Sequence, residues 1–337
     1  MLRTSLSLSA ITGKELIIEH IRGKRKKPGL RRQHLVSVKA AAAVCKARVT
    51  GDELNSERLI FKPGIIHPGN YYFSIGTAGS CCLVLQTILP ILFYGYSSST
   101  VIVEGGTHNP MAPTVDFIVN SFLPTIARFG FHASVELLSY GFYPAGGGKI
   151  KAKIRPYQNA ARKVEIISRG ELIEKKGNIL LSRLPEHIAE REKKTLLETG
   201  WLRDNEIEII HVKNSPGPGN VVTVTLRYED ISCVFQSIGK RGKKAEKVAI
   251  EAYRAAISHH ESKMPVENHL TDQLLIYLGL VSEGVILTSE LSLHSRTNVE
   301  VIEKFLPVKF KVTEMTGGWQ INCKKLTFHP INSDFWS

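Results

Sequence analysis

Apolar residues along this chain recur at two spacings, and the switches between them outline the elements. Helical spacing predicts a helix over residues 3–12, and alternation predicts a strand over 15–21. An Ala-rich helix over 33–46 follows, then strands at 47–50 and 58–62. The order then recurs: strand 71–75, helix 79–92, strand 100–104, loop 105–110, helix 112–129, and a strand pair at 133–138 and 149–154. A third, interrupted pass has strand 163–168, helix 268–281, strand 285–289, helix 299–305 and a strand pair at 310–314 and 319–324.

Each pass is strand, helix, strand, loop, helix, strand, strand. The pattern predicts an α/β (α+β) fold of three βαβαββ units, with the main domain formed by 1–168 and 263–337. An insert domain over 169–262 carries strand-like runs at 179–182, 206–212, 221–228 and 231–237 and helical runs at 185–199 and 244–259. The first unit begins directly at a helix, so its opening strand is expected to be missing, as if the chain started inside a repeat.

One loop position is shared by the three units. It holds 22–32, with seven basic residues among eleven, then the Gly-rich 105–110, then the segment around His294. Packing of the units around a common axis is expected to bring these loops together.

The 337 residues are 43% hydrophobic and 22% charged, ordinary for a globular protein, but the net charge of +13 is not ordinary. It points to a polyanionic partner, nucleic acid first. The five cysteines show no CxxC pair and no zinc spacing, which fits a reducing, cytoplasmic setting. The apolar run 81–94 is too short to span a bilayer and contains Gln86 and Pro90, so it reads as a core helix and no membrane partner is expected.

The stretch LSLHSRTN, 291–298, sits between a strand and a helix that Ser292 or Ser295 can cap. His294 is thereby placed beside a helix N-terminus, where free N–H groups and the helix dipole favour phosphate. A neutral imidazole nitrogen there can attack phosphorus, whereas an ordinary loop histidine would simply be solvated. Gln86 is a polar residue in an apolar helix, either a backbone-bonded amide or a ligand contact. The run 240–244 reads as a solvated basic loop, and the glycines of 105–110 and 146–148 as tight turns, not phosphate cradles.

Several segments in order resemble the RNA 3'-terminal phosphate cyclase family over nearly the whole chain. They are LRTSLSLSAITG (2–13), IRGKRKKPGLRRQH (21–34), GTAGSCCLVLQTILP (76–90), EGGTHNPMAPTVDF (104–117), GFYPAGGG (141–148), LPEHIAERE (184–192), PGPGN (216–220), HLTDQLL (269–275), LHSRTN (293–298) and EKFLPVKF (303–310). The resemblance implies a thioredoxin-like insert in the third repeat. It also implies ATP-dependent conversion of an RNA 3'-phosphate end to a 2',3'-cyclic phosphodiester.

In that chemistry a histidine, here His294, takes AMP from ATP and passes it to the RNA 3'-phosphate. The neighbouring 2'-hydroxyl then expels AMP. By the same resemblance, Gln86 and the run His269, Leu270, Thr271, Asp272 and Gln273 bind ATP. Arg3, Arg22, Arg25 and Gln33 meet phosphate or RNA. A divalent cation, Mg or Mn, accompanies ATP, with no ligands assigned. The family's usual opening strand and Gly-rich loop have no counterpart before Leu2. A non-catalytic, cyclase-like RNA-binding protein is therefore the competing expectation.

Overall fold

The computed structural model describes residues 1–158 and 163–326; the last part of the expected third-unit segment, 327–337, lies outside them. The second unit shows the repeat in full. Strand β4 (Asn70–Ser74) runs into helix α3 (Cys81–Phe93) and back as β5 (Ser99–Gly105), parallel to β4. A helical segment follows, then β6 (Ala133–Ser139) and β7 (Gly148–Ile154) pair antiparallel, giving the order β4-β5-β7-β6.

The third unit repeats that order with β8 (Val164–Ile166), β13 (Gly284–Thr288), β15 (Gly318–Lys325) and β14 (Val308–Met315). In the first unit, β1 (Leu16–Ile18), β3 (Leu59–Lys62) and β2 (Arg48–Thr50) form a three-stranded sheet in the order equivalent to β5-β7-β6. No helix among the described residues is long and apolar enough to cross a membrane.

The helices of the units form the common core. Helix α1 (Leu2–Thr12) packs on α2 (Arg32–Cys45), α3 and α9 (Leu293–Phe305); α8 (Asn268–Val281) packs on α9. Ser5, Ser7 and Ser9 of α1 are buried, and their small volume lets the neighbouring helices come close. The Ser7 hydroxyl donates to the Thr87 carbonyl of α3 at 2.7 Å.

Between β8 and α8 the chain builds a separate four-stranded sheet of order β10-β9-β11-β12. Its strands are β9 (Leu172–Ser182), β10 (Ile207–His211), β11 (Gly219–Tyr228) and β12 (Ser232–Ile238), covered by α6 (His187–Glu198) and α7 (Ala245–Ser262). The two Gly-rich turns dock this insert on the second unit. A Cβ on Gly217 would meet that of Ala145 at 2.4 Å, and one on Gly219 would meet the Phe142 ring at 2.1 Å. Gly146 likewise approaches the Ala78 backbone, with a Cβ there at 2.9 Å.

Among the departures from the expected bounds, three stand out. Strand β9 starts at Leu172, not 179, because β11 pairs with it along its polar stretch Leu172-Ile-Glu-Lys-Lys176. The helix expected over 112–129 starts at Val115 under a Thr114 cap and is broken by a π segment, Ile118–Phe122. Pro124, which has no N–H to donate to the preceding turn, follows that break at the start of α5 (Leu123–Ala127). Helix α9 begins at Leu293, before the expected 299, so His294 stands in its first turn and not in the loop before it.

Candidate active site

A pocket of mixed polar and apolar lining forms where helices of all three units meet. Its polar wall is Arg3, Thr4 and Ser7 of α1, Gln86 of α3, Asp272, Gln273 and Tyr277 of α8, and Asn298 of α9; Phe122 and Ile276 supply apolar wall. Four residues singled out from the sequence, Arg3, Gln86, Asp272 and Gln273, thus come together although they are distant along the chain. The cavity measures about 40 Å³, room for a water or one small group. It is narrowed by the Gln86 side-chain amide, which donates to the Gln273 carbonyl oxygen. Gln273 in turn donates to the His269 backbone carbonyl at 3.0 Å. Gln86 is therefore held by a side chain from another repeat and not by backbone.

Asn298 joins the first and third units at the pocket wall. Its amide donates to the Asp272 carboxylate at 2.6 Å, and its carbonyl oxygen accepts the Thr4 hydroxyl at 3.0 Å. Arg3 makes no ion pair and no side-chain hydrogen bond among the described residues. Burial presses its guanidinium below the usual range, and the Asp272 charge pulls it back up. The Gln86 carbonyl oxygen and the Tyr277 hydroxyl are buried and have no partner among the described residues. A half-buried guanidinium in no direct ion pair, beside an orphaned acceptor and an orphaned hydroxyl, is a set of donors and acceptors that a polar, anionic ligand could satisfy. Admitting one requires the Gln86 and Gln273 side chains to part.

The basic loop approaches the same region. Arg22 has a left-handed backbone (φ 56) and spends its guanidinium on the carbonyls of Lys27 at 2.6 Å and Gly29 at 3.2 Å. Arg25 is exposed. Half-buried His34 accepts the Arg31 N–H at its Nδ1 at 3.2 Å. Its pKa is pushed down to about 4, first by burial and then by the charges of Arg22, Arg3 and Arg31. His34 therefore stays neutral amid three guanidinium groups. Gln33 accepts the Ser80 N–H at 2.8 Å, which ties α2 to the start of α3. The neighbouring loop, through the Asn109 amide, grips the Ala78 carbonyl. The start of α2, just after the basic loop, and the loop 105–110 are thus anchored on one segment, 78–80.

His294 is exposed in the first turn of α9. Of the two serines open as caps, Ser292 is the one used: its hydroxyl accepts the Ser295 N–H at 3.0 Å. His294 and Asn298 are four residues apart on one helix, so they share a face about 6 Å apart along the axis. The imidazole therefore stands one turn above the pocket wall, on its solvent side.

The run 269–273 divides. Leu270 and Thr271 face the core, the Thr271 hydroxyl donating to that of Thr288 at 2.7 Å, and they do not line the Arg3 pocket. His269 is exposed. Asp272 does not cap α8; that falls to buried Glu267, whose carboxylate accepts the N–H of His269 at 2.7 Å and that of Leu270. Sequence reasoning missed Thr4, Ser7, His34, Tyr277 and Asn298. Asn298 carried a usable signal, the i,i+4 spacing from His294. The others are ordinary polar residues whose neighbours come from distant repeats.

Among the described residues no three His, Cys, Asp or Glu side chains cluster as metal ligands. A divalent cation for nucleotide chemistry would be held mainly by the nucleotide's own phosphates.

Fold and site together define an α/β repeat enzyme whose polar pocket is assembled by helices from all of its repeats. The sequence model for RNA 3'-terminal phosphate cyclase matches residues 1–312. A Koribacter versatilis (strain Ellin345) protein named RNA 3'-terminal phosphate cyclase is 45% identical over 314 residues, covering 93% of this chain and 88% of its own length. A Salmonella paratyphi C (strain RKS4594) protein of the same name is 42% identical over 325 residues, covering 96% and 94%. This chain belongs to the RNA 3'-terminal phosphate cyclase family.

Proposed function

We propose that the protein uses ATP to convert an RNA 3'-terminal phosphate into a 2',3'-cyclic phosphodiester, with His294 as the nucleophile. The observation that carries the reading is the position of His294. It stands at a capped helix N-terminus, one turn from a pocket holding an unpaired arginine and two orphaned polar atoms. A neutral ring nitrogen of His294 attacks the α-phosphorus of ATP, and pyrophosphate leaves. The RNA 3'-phosphate takes AMP from His294. The adjacent 2'-hydroxyl then attacks that phosphorus, loses its proton and expels AMP. Activation replaces an oxide leaving group by AMP and splits one high barrier into smaller ones.

Arg3 supplies a fixed positive charge for the phosphates. Arg22 and Arg25 extend that charge toward the RNA once Arg22 leaves its loop carbonyls. Gln86, Asp272 and Gln273 orient the nucleoside. Mg or Mn shields the triphosphate charge. The test is incubation with α-labelled ATP and magnesium. Acid-labile label on the wild-type chain, lost in His294→Ala, supports the reading. Absence of label from both, with RNA binding retained, favours a non-catalytic RNA-binding protein.

A further inference from the structure

A second cavity, larger than the Arg3 pocket, is a cleft of about 430 Å³ on the second unit, where β5 and β6 begin and β7 ends. Its polar lining includes His132, Lys153, Arg155, Ser98, Thr100 and Ser134, and it contains no carboxylate. The strand register builds it. Thr100 of β5 and Ser134 of β6 both pair with Lys153 of β7, so one exposed ammonium sits in a cross-strand row between two hydroxyls. Lys151, two residues back, and Arg155, two residues on, stand on the same outward face, because side chains alternate along a strand. Val101, Ile150, Ala152 and Ile154 fill the opposite face against the helices.

The ordinary reading is a solvated polar face. Lysines that guard a sheet belong on its edge, yet β7 is flanked by β5 and β6. Lys153 and Arg155 form no ion pair among the described residues; Glu136 of β6 stands opposite Lys151 but makes no ion pair with it. The charge is concentrated at this end of the strand. At the other end, Lys149 is paired with Glu104 at 3.3 Å. Cations spaced two residues apart on a strand, about 7 Å, with hydroxyl donors flanking the middle one, match the repeat of an extended phosphodiester chain.

We propose that this cleft binds the phosphodiester backbone of the RNA, upstream of the end that is processed. The assignment rests on RNA being the substrate, as proposed above, and adds a second contact site. The Arg3 pocket lies in the helix layer on the other side of this sheet. Only an RNA several nucleotides long, passing round the end of the sheet, touches both.

The test is the triple variant Lys151→Gln, Lys153→Gln, Arg155→Gln, all solvent-facing positions, with the melting temperature as folding control. Binding of a long single-stranded RNA bearing a 3'-hydroxyl is followed by fluorescence anisotropy over a salt series, so the result does not depend on catalysis. Loss of three phosphate contacts should weaken binding on the order of tenfold and make the log–log salt slope shallower by about 2. Adenylylation of the protein, and cyclisation of a 3'-phosphorylated dinucleotide, should be unchanged.

Wild-type affinity and salt slope in the triple variant would overturn the proposal. So would an equal loss with the dinucleotide, which would make the cleft part of the active site. Unaltered RNA binding with a change of sedimentation state would assign the face to contact between copies and likewise overturn it. Failure of the His294 labelling test leaves this binding measurement readable, so the two readings fail separately.

Discussion

Glu192 of the insert shows how burial decides what a single side chain does. It is fully buried on α6, with one carboxylate oxygen accepting from the Asn220 amide at 2.8 Å and the other unpartnered. Burial pushes its pKa up to about 7. The folded carboxyl holds its proton more tightly than the unfolded one. The fold is therefore fully supported in acid and loses stability as pH rises from the ordinary value of 4.5 through about 7. Glu192→Gln keeps the acceptor for Asn220 and removes the charge. We expect it to unfold at higher denaturant than wild type above neutral pH, by on the order of 1–3 kcal/mol, with the advantage vanishing in acid. Denaturant melts at the two pH values check this; an advantage independent of pH would refute the assignment. His34 is the opposite case, an imidazole kept neutral by burial and by arginines. Nothing in QH, 33–34, distinguished it from the chain's other histidines.

Elements were legible wherever burial was periodic. Helix α8 has the expected bounds, since its apolar face is continuous. The first turn of α9 was not legible, because Leu293 is 79% exposed and His294 is exposed too, so no apolar stripe marks it. Its Ser292 cap holds that turn instead. Ser292→Ala should cost about 1 kcal/mol. Hydrogen exchange at the Ser295 amide should quicken, and labelling of His294 by ATP should slow; Ser292→Thr should restore both. Unchanged exchange in the alanine variant would show that the cap is not what orders the histidine's turn. The polar first half of β9 escaped reading for a similar reason: its order comes from β11 beside it.

Across the whole molecule, the insert and the second unit are joined through turns that tolerate no extra atom. Asn214 adds a backbone link, its carbonyl accepting the Tyr140 N–H at 3.2 Å. The Phe142 ring beneath Gly219 is itself held against Tyr140 and His108, with centroids 6.0 and 5.5 Å away, so it cannot give way. Gly219→Ala should therefore destabilise the protein by about 1–3 kcal/mol, read as a lower melting temperature. An unshifted melt would mean the two turns are free to separate. From sequence 146–148 read only as a tight turn and 215–220 only as a turn-rich linker, because the partner of each lies in another unit.

What the sequence determined by itself was local and repetitive: the recurring order of strands and helices, and a histidine beside a helix start. Such features follow from periodicity and capping, which act within a few residues. Only the tertiary structure decided which residues share a site. It joined Arg3, Gln86, Gln273 and Asn298, turned Leu270 and Thr271 into the core, and put Lys153 between two hydroxyls. Those outcomes depend on how helices and strands far apart in the chain are packed. No local pattern of apolar and polar residues encodes such neighbours.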